Sequence, residues 1–269
     1  GKDMRSDVFS LTLDEHGKGS LVESIDDASD VPDVVDLEGS DLASILYTSG
    51  TTGRSKGAML THGNLHSNAV ALTDCWGWRK DDVLLHALPI FHVHGLFIAS
   101  HCALLNGTPM IFLPKFEVNQ VFERLPDCTV LMGVPTFYTR LLSLPSLTPD
   151  YVNHVRLFIS GSAPLTEVTF REWKEKTGAE ILERYGMSET IINTSNPLDG
   201  ERVPGTVGFP LPGLNLRISD SEGKELPRGE IGTIEVSGPA VMKGYWRMPE
   251  KTKEAVSYTH LTLPTKRIV

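Results

Sequence analysis

Residues 47–65 read YTSGTTGRSKGAMLTHGNL. Gly50, Gly53 and Gly57 are interleaved with Thr48, Ser49, Thr51, Thr52 and Ser55, and Arg54 and Lys56 add positive charge. The mixture is too polar and too glycine-rich for a core strand or a regular helix. Glycine lets backbone N–H groups converge on an anion, hydroxyls donate further bonds, and a lysine supplies charge. The run therefore reads as a phosphate cradle. It is not a Walker loop. Counting from Gly50, Ser55 takes the place of the second glycine, and Gly57 stands where Ser or Thr should follow the lysine. The plain alternative is a flexible polar loop at the surface.

Outward from this stretch, strand and helix patterns alternate from Leu42 onward. ASILYTS is a strand running into the glycine loop, and VLLHALPIF is a buried strand. PMIFLPKF is a strand followed by a helical NQVFERL, and CTVLMGVP is a strand followed by the short helix TFYTRLLS. VRLFISGSA is a strand, and TEVTFREWKEKTG is a helix with Thr166 as N-cap and Gly178 as stop. AEILERYG is a further strand. Continuous apolar strands between helices predict an α/β fold, a parallel sheet covered on both faces. Such sheets bind ligands at the carboxyl ends of their strands. After Val203 the chain becomes rich in Gly, Pro and short β-type runs. LNLRISD and GTIEVSG there predict an antiparallel pair joined by SEGKELPRGE. The expected organisation is an acidic edge over 1–41, an α/β body over 42–202 and the start of a small β subdomain over 203–255.

Composition narrows the class. A net charge of −9 over 269 residues argues against nucleic acid as partner, because duplex binding leans on basic surface. Cys75, Cys102 and Cys128 are scattered and odd in number, which suits a reducing cytosol. The opening GKDMRSDVFS lacks the apolar centre of a signal peptide. The most apolar region, 96–113, is broken by His101, Asn106 and Pro109 and reads as core rather than a membrane span. Trp76, Trp78, Trp173 and Trp246 read as packing residues, and His86 as structural. His92 and His94, two apart in FHVHG, would share a face of a strand, but no cysteine or carboxylate cluster completes a zinc site.

YTSGTTGRSKGAMLTHGNL, ERYGMSET at 183–190 and ISGSAPL at 159–165 together resemble the adenylate-forming superfamily, which includes acyl-CoA synthetases, luciferases and nonribosomal adenylation domains. The resemblance implies the large N-terminal domain of that superfamily, with ATP, Mg²⁺ and coenzyme A as cofactor and substrates. It assigns Thr48, Ser49, Gly50, Thr51, Thr52, Gly53 and Lys56 to the phosphates. Gly161, Ser162 and Ala163 line the adenine pocket, with Tyr185 stacking on the base. Gly186 belongs to the same nucleotide motif, Ser188 touches the α-phosphate, and Glu189, with Thr48, holds magnesium. In that chemistry a carboxylate attacks the α-phosphate and pyrophosphate leaves, so fixed donors and a cation must stabilise the developing charge.

LPIFHVHGLFIA, IFLPKF, TVLMGVPTFYTRLLS, RLFISGSAPL, NTSNPLDGERVPGTVG and KGYWRMPEKTK resemble the malonyl-CoA synthetases within that superfamily, over about residues 42–255. A dicarboxylic acid leaves one anion to be held beside ATP, and arginine is the best fork for it. The resemblance gives that clamp to Arg140 and Arg184, the thioester-forming step and acyl pocket to His92, and polarity near the carboxylate to His94. A medium-chain fatty-acyl or aryl-acid CoA ligase would instead have an apolar pocket there. Other classes left open are a stand-alone nucleotide-binding module and a scaffold on a degenerate fold. Two features depart from the family pattern. The mobile C-terminal domain with its lysine has no counterpart, and 256–269, VSYTHLTLPTKRIV, reads as a non-native tail. The expectation is a central fragment that is a poor catalyst by itself.

Overall fold

The computed structural model describes residues 11–14, 16–26, 34–48, 55–257 and 260–263. The glycine loop residues Ser49, Gly50, Thr51, Thr52 and Gly53 lie outside the described residues. The chain divides into two units, 1–37 and 38–269. Among its described residues the first contains one short helix, α1 (Ser20–Asp26), within the acidic segment read as loop.

In the second unit, β1 (Leu42–Thr48) and β2 (Lys56–Thr61) pair antiparallel, from Leu42↔Thr61 to Thr48↔Lys56. The stretch that looked too polar for regular structure therefore supplies the end of one strand and all of the next. Small side chains are the reason. A Cβ on Gly57 would fall 2.6 Å from Ile45 Cγ2, so glycine is what lets the strands close. Helix α2 (His62–Cys75) follows at once. Asn64 N–H donates to Thr61 Oγ1 at 3.1 Å while Thr61 N–H donates to Asn64 Oδ1 at 2.9 Å, a reciprocal N-terminal cap.

The main sheet is built from β3 (Leu84–His86), β4 (Met110–Phe112), β5 (Val130–Gly133), β6 (Leu157–Ser160), β7 (Ile181–Met187), β8 (Ile191–Ser195) and β9 (Phe209–Pro210). Its order is β4-β3-β5-β6-β7-β8-β9; the first five are parallel, and β8 and β9 are antiparallel additions. Between them run α3 (Ser100–Asn106), α4 (Val118–Arg124), α5 (Pro135–Leu142), α6 (Pro149–Val152) and α7 (Glu167–Thr177). Every residue of β5 and β6 is buried, as their unbroken apolar runs require. Helix α7 starts and stops where its caps place it: Thr166 Oγ1 accepts from Thr169 N–H, and Gly178 takes φ 74°. Its Trp173 is fully buried, with ring centroids 5.0 Å from both Tyr138 of α5 and Phe158 of β6. Trp76 is buried as expected, but Trp246 is 40 % exposed under Arg247.

A third sheet holds β10 (Asn215–Ser219) and β11 (Thr233–Ser237), paired antiparallel as their sequences predict. The two-residue β12 (Gly244–Tyr245) joins the far edge of β2, and α8 (Pro249–Ala255) follows it. Beyond it, β13 (Val256–Ser257) pairs with β14 (His260–Leu263), and β14 lies beside β11. The segment set aside on sequence thus supplies strands here. Asp82, 1 % exposed, ties the sheet together. It accepts from Arg156 Nε at 2.7 Å, from Thr129 Oγ1 at 2.8 Å and from Arg79 N–H at 2.7 Å, and forms an ion pair with Arg156 Nη2. Among the described residues no helix is long and apolar enough to cross a membrane.

Candidate active site

The chemistry-bearing residues gather past the carboxyl ends of the parallel strands, where such sheets leave a crevice. Past β3 the chain turns through Pro89 into a π-helical stretch, His94–Ala99. His92 and His94 therefore do not share a strand face: His94 N–H donates to His92 Nδ1 at 3.1 Å across the turn. His92 is exposed, whereas His94 is 1 % exposed and its Nδ1 lies 3.2 Å from Ser162 Oγ. Past β6 the chain passes Gly161 and reaches Ser162, which holds a left-handed φ of 67°. A side chain other than glycine in that region is strained and marks a position held by its surroundings.

Arg184, on β7, is the centre of this group. It is 5 % exposed, and its Nε and Nη2 have no hydrogen-bond partner among the described residues. Burial is the main cause that pushes its guanidinium down to about 9, with the nearby Tyr138 phenol opposing the fall. The side chain lies flat over Gly161: a Cβ there would sit 2.4 Å from Arg184 Cζ and Nε. Burial drives His94 well below its ordinary value, and the charge of Arg184 adds to it. The more exposed His92 is lowered by burial and then by Arg184. The result is a buried cation with two histidines kept neutral beside it and, among the described residues, no carboxylate bonded to it. Buried charges are ordinarily paired, and this one has no such pairing within the described residues.

A second group lies around Glu189. Strands β7 and β8 slip register between Tyr185 and Gly186, and Ile191 takes φ 62°. Gly186 makes this possible, because a Cβ there would fall 1.9 Å from Ile191 O. The hairpin tip carries Ser188, half-buried, and Glu189, 5 % exposed. Tyr245 Oη donates to Glu189 Oε1 at 2.8 Å, and Lys56 Nζ stands 4.5 Å from the centroid of the Tyr245 ring. Burial first, and then the Glu189 charge, raise the Tyr185 and Tyr245 phenols. Thr48, directly opposite Lys56 in the β1–β2 pair, donates its hydroxyl to Lys56 O at 3.4 Å.

The fold thus brings Lys56 together with Glu189 through Tyr245, and Arg184 together with His92, His94, Gly161 and Ser162. Ala163 is exposed next to Ser162. Arg140 differs from Arg184: it is exposed on the last turn of α5, its guanidinium 5.9 Å from the Phe116 ring centroid. Sequence reasoning passed over Tyr138, Tyr245 and Glu183. Glu183, 6 % exposed, accepts from Leu165 N–H and Gly205 N–H, both at 3.3 Å, and so links the loops after β6 and before β9. All three stand in quoted runs, Tyr138 in TFYTRLLS, Glu183 in ERYGMSET and Tyr245 in KGYW, but none of these runs shows what its side chain meets.

The model of the AMP-binding enzyme family matches residues 2–246. The malonate–CoA ligase ACSF3, mitochondrial, of Mus musculus is 41 % identical over 248 residues, 79 % of this chain and 42 % of the relative. The crystal structure of ATP-bound MatB from Rhodopseudomonas palustris is 58 % identical, with a TM-score of 0.91 over 94 % of this chain and 50 % of that one. A malonyl-CoA ligase in a ternary product complex with methylmalonyl-CoA and AMP is 37 % identical, with a TM-score of 0.78, over 84 % of this chain and 50 % of that one. The chain spans half or less of the length of these relatives. With the family model covering most of its length, and its motifs placed at the carboxyl edge of the expected sheet, this chain belongs to the AMP-binding enzyme family.

Proposed function

We propose that this chain carries the nucleotide and acid sites of an ATP-dependent acid–CoA ligase that acts through an acyl-adenylate, with malonate as the acid. The observation that carries the choice of acid is Arg184, a buried guanidinium with unpartnered N–H groups. A monocarboxylic acid has no second anion to offer it. Malonate presents one carboxylate for attack on the α-phosphate and one for Arg184, with neutral His94 and Ser162 as further hydrogen-bonding groups. Arg140, exposed on α5, would meet the acid only at the mouth of such a pocket. The names of the mouse relative and of the ternary product complex support the same substrate class.

On this reading the 48–53 loop and Lys56 hold phosphates. Gly161, Ser162, Ala163, Tyr185 and Gly186 frame the adenine, and Ser188 reaches the α-phosphate. His92, at the exposed edge, serves the thioester-forming step with coenzyme A. The residues suit Mg²⁺. Among the described residues no group of three or more metal-binding side chains forms a closed cage, and Glu189 offers a hard carboxylate with one oxygen engaged by Tyr245. Magnesium characteristically takes one or two carboxylates and completes its shell with water and phosphate oxygens, here with Glu189 and Thr48 as protein groups. When bound, it neutralises charge on the phosphates.

The test is an acid panel in a pyrophosphate-release assay on the complete reading frame. Malonate and methylmalonate should exceed butyrate, octanoate and benzoate in kcat/KM by at least two decades. Equal use of butyrate or benzoate would replace the reading by that of a fatty-acyl or aryl-acid ligase.

A further inference from the structure

Two other tyrosine hydroxyls on helices of this unit, the buried Tyr138 and the half-buried Tyr151, donate to main-chain carbonyls: Tyr138 to Ile159 O at 2.6 Å and Tyr151 to Phe122 O at 3.0 Å. Tyr245 does something else. Its hydroxyl donates to a buried carboxylate and its ring face receives an ammonium, so one side chain joins Glu189 to Lys56. We propose that Tyr245 is a positioning residue of the nucleotide site: its hydroxyl holds Glu189 with one oxygen turned to a divalent cation, and its ring keeps the Lys56 ammonium apart from that carboxylate. The inference rests on the reading of Glu189 and Lys56 given above.

The placement of the phenol is determined several times over. Tyr245 is 3 % exposed and sits opposite Ala58 in the β12–β2 pair. Lys243 N–H donates to Met59 O at 2.9 Å and Trp246 N–H to Gly57 O at 2.8 Å, locking β12 to the strand that begins with Lys56. Tyr245 N–H donates to Thr252 Oγ1 at 2.8 Å. Gly244 holds φ 140°, and a Cβ there would fall 2.7 Å from Thr252 Cγ2, so the residue before the tyrosine has to be glycine. Glu189 is fixed from the same segment, since Met242 N–H donates to Glu189 O at 2.8 Å.

Two consequences follow for a ligand. A carboxylate whose Oε1 accepts from a hydroxyl leaves Oε2 as its freer oxygen, which favours the one-oxygen contact that suits magnesium's octahedral shell. Outer hydrogen bonds of this kind typically change metal affinity 10- to 100-fold when removed. The ring also prevents waste of charge. Among the described residues no ion pair joins Lys56 to Glu189; the ammonium lies on the Tyr245 ring face and the carboxylate on its hydroxyl, so the ring attracts the ammonium without neutralising the carboxylate. Both charges stay available, one to phosphate oxygens and the other to a cation.

The experiment is calorimetric titration of the chain with ATP, once in Mg²⁺ and once in EDTA, for the unaltered protein, Tyr245→Phe, Tyr245→Leu, Glu189→Gln and the double variant Tyr245→Phe/Glu189→Gln. Tyr245→Phe keeps the ring and should lose about tenfold of the Mg²⁺-dependent gain in ATP affinity, with the EDTA value within about twofold of unaltered. Tyr245→Leu should in addition weaken ATP binding in EDTA by about threefold, because Lys56 loses its ring. In the Glu189→Gln background, Tyr245→Phe should change nothing further, the signature of one residue acting through the other. A full Mg²⁺ gain in Tyr245→Phe overturns the inference alone. Absence of ATP binding by the unaltered chain, or an intact Mg²⁺ gain in Glu189→Gln, overturns the nucleotide reading beneath it. A measurement on the unaltered protein serves if the variants do not fold. Mn²⁺ with ATP should broaden the ring resonances of Tyr245, and sharp Tyr245 resonances at saturating Mn²⁺–ATP would equally overturn the inference.

Discussion

Replacing Arg184 by methionine should make the ligand-free chain more stable and blind to malonate. The guanidinium is buried with two nitrogens unpartnered among the described residues, and its fall from the ordinary arginine value to about 9 corresponds to about 5 kcal/mol at about 1.36 kcal/mol per tenfold change. That is an upper bound on what holding the charge costs the fold, since methionine also leaves part of the space unfilled. Apolar replacement of buried charged groups typically gains about 1–4 kcal/mol. A gain of about 2 kcal/mol raises the melting temperature of a domain of this size by roughly 4–8 °C. The sign with pH follows from the lowered value. Below about pH 9 the arginine is charged in folded and unfolded states alike and the cost is constant. Between about 9 and the ordinary arginine value only the unfolded state keeps the proton, so stability due to this group rises with pH. The assay is thermal unfolding at pH 7.5 with and without malonate. Malonate at 100 times its dissociation constant should stabilise the unaltered chain by about 2.7 kcal/mol and the variant not at all. A variant that loses more than about 2 kcal/mol while malonate still stabilises it would show that Arg184 is a structural residue, and the acid assignment would fall with it.

Gly161→Ala puts a methyl group 2.4 Å from the Arg184 guanidinium, so malonate should lose at least tenfold in kcat/KM while butyrate loses far less; equal losses would mean that the displaced arginine never touched the acid. Burial holds His94 neutral in the folded state, so below about pH 6.5 the unfolded state takes up a proton that the native state refuses, and stability falls with falling pH. His94→Gln should flatten the pH 5–7 slope of the melting temperature, and an unchanged slope would assign it to other groups, such as the buried His86. Burial works to raise the Asp82 carboxyl, but donation from Arg156, the Arg79 N–H and Thr129 outweighs it and holds the group below its usual range. Arg156→Leu should therefore cost about 3–5 kcal/mol in urea unfolding, and Asp82→Leu in the same chain should restore much of it; additive losses would deny the pair.

Much of this fold was written locally. The unbroken apolar runs of β5 and β6 could only be strands buried on both faces, and Thr166 and Gly178 mark the ends of α7 because capping is settled within one turn. LNLRISD and GTIEVSG likewise carried their pairing in alternation and turn chemistry. The superfamily resemblance rested on three short motifs, and the family model agrees. What these signals could not reach was any property that depends on distant segments closing on each other. KGAMLT looks like loop by composition and becomes a strand because β1 on one side and β12 on the other accept its hydrogen bonds. FHVHG suggested a strand face, yet the backbone turns and its two histidines part, one outward and one buried. Arg140 and Arg184 looked alike as residues near the ends of elements. Burial separates them, and burial is set by what Gly161, Tyr138 and His94 leave open around a position, not by the arginine itself. Tyr245 and Glu189 stand 56 residues apart with no shared periodicity, so their hydrogen bond exists only once β12 has docked on β2. The sequence alone determined the chemistry on offer and most of the local elements; the tertiary structure decided which charges are left without a partner, because desolvation acts only after the chain has closed around them.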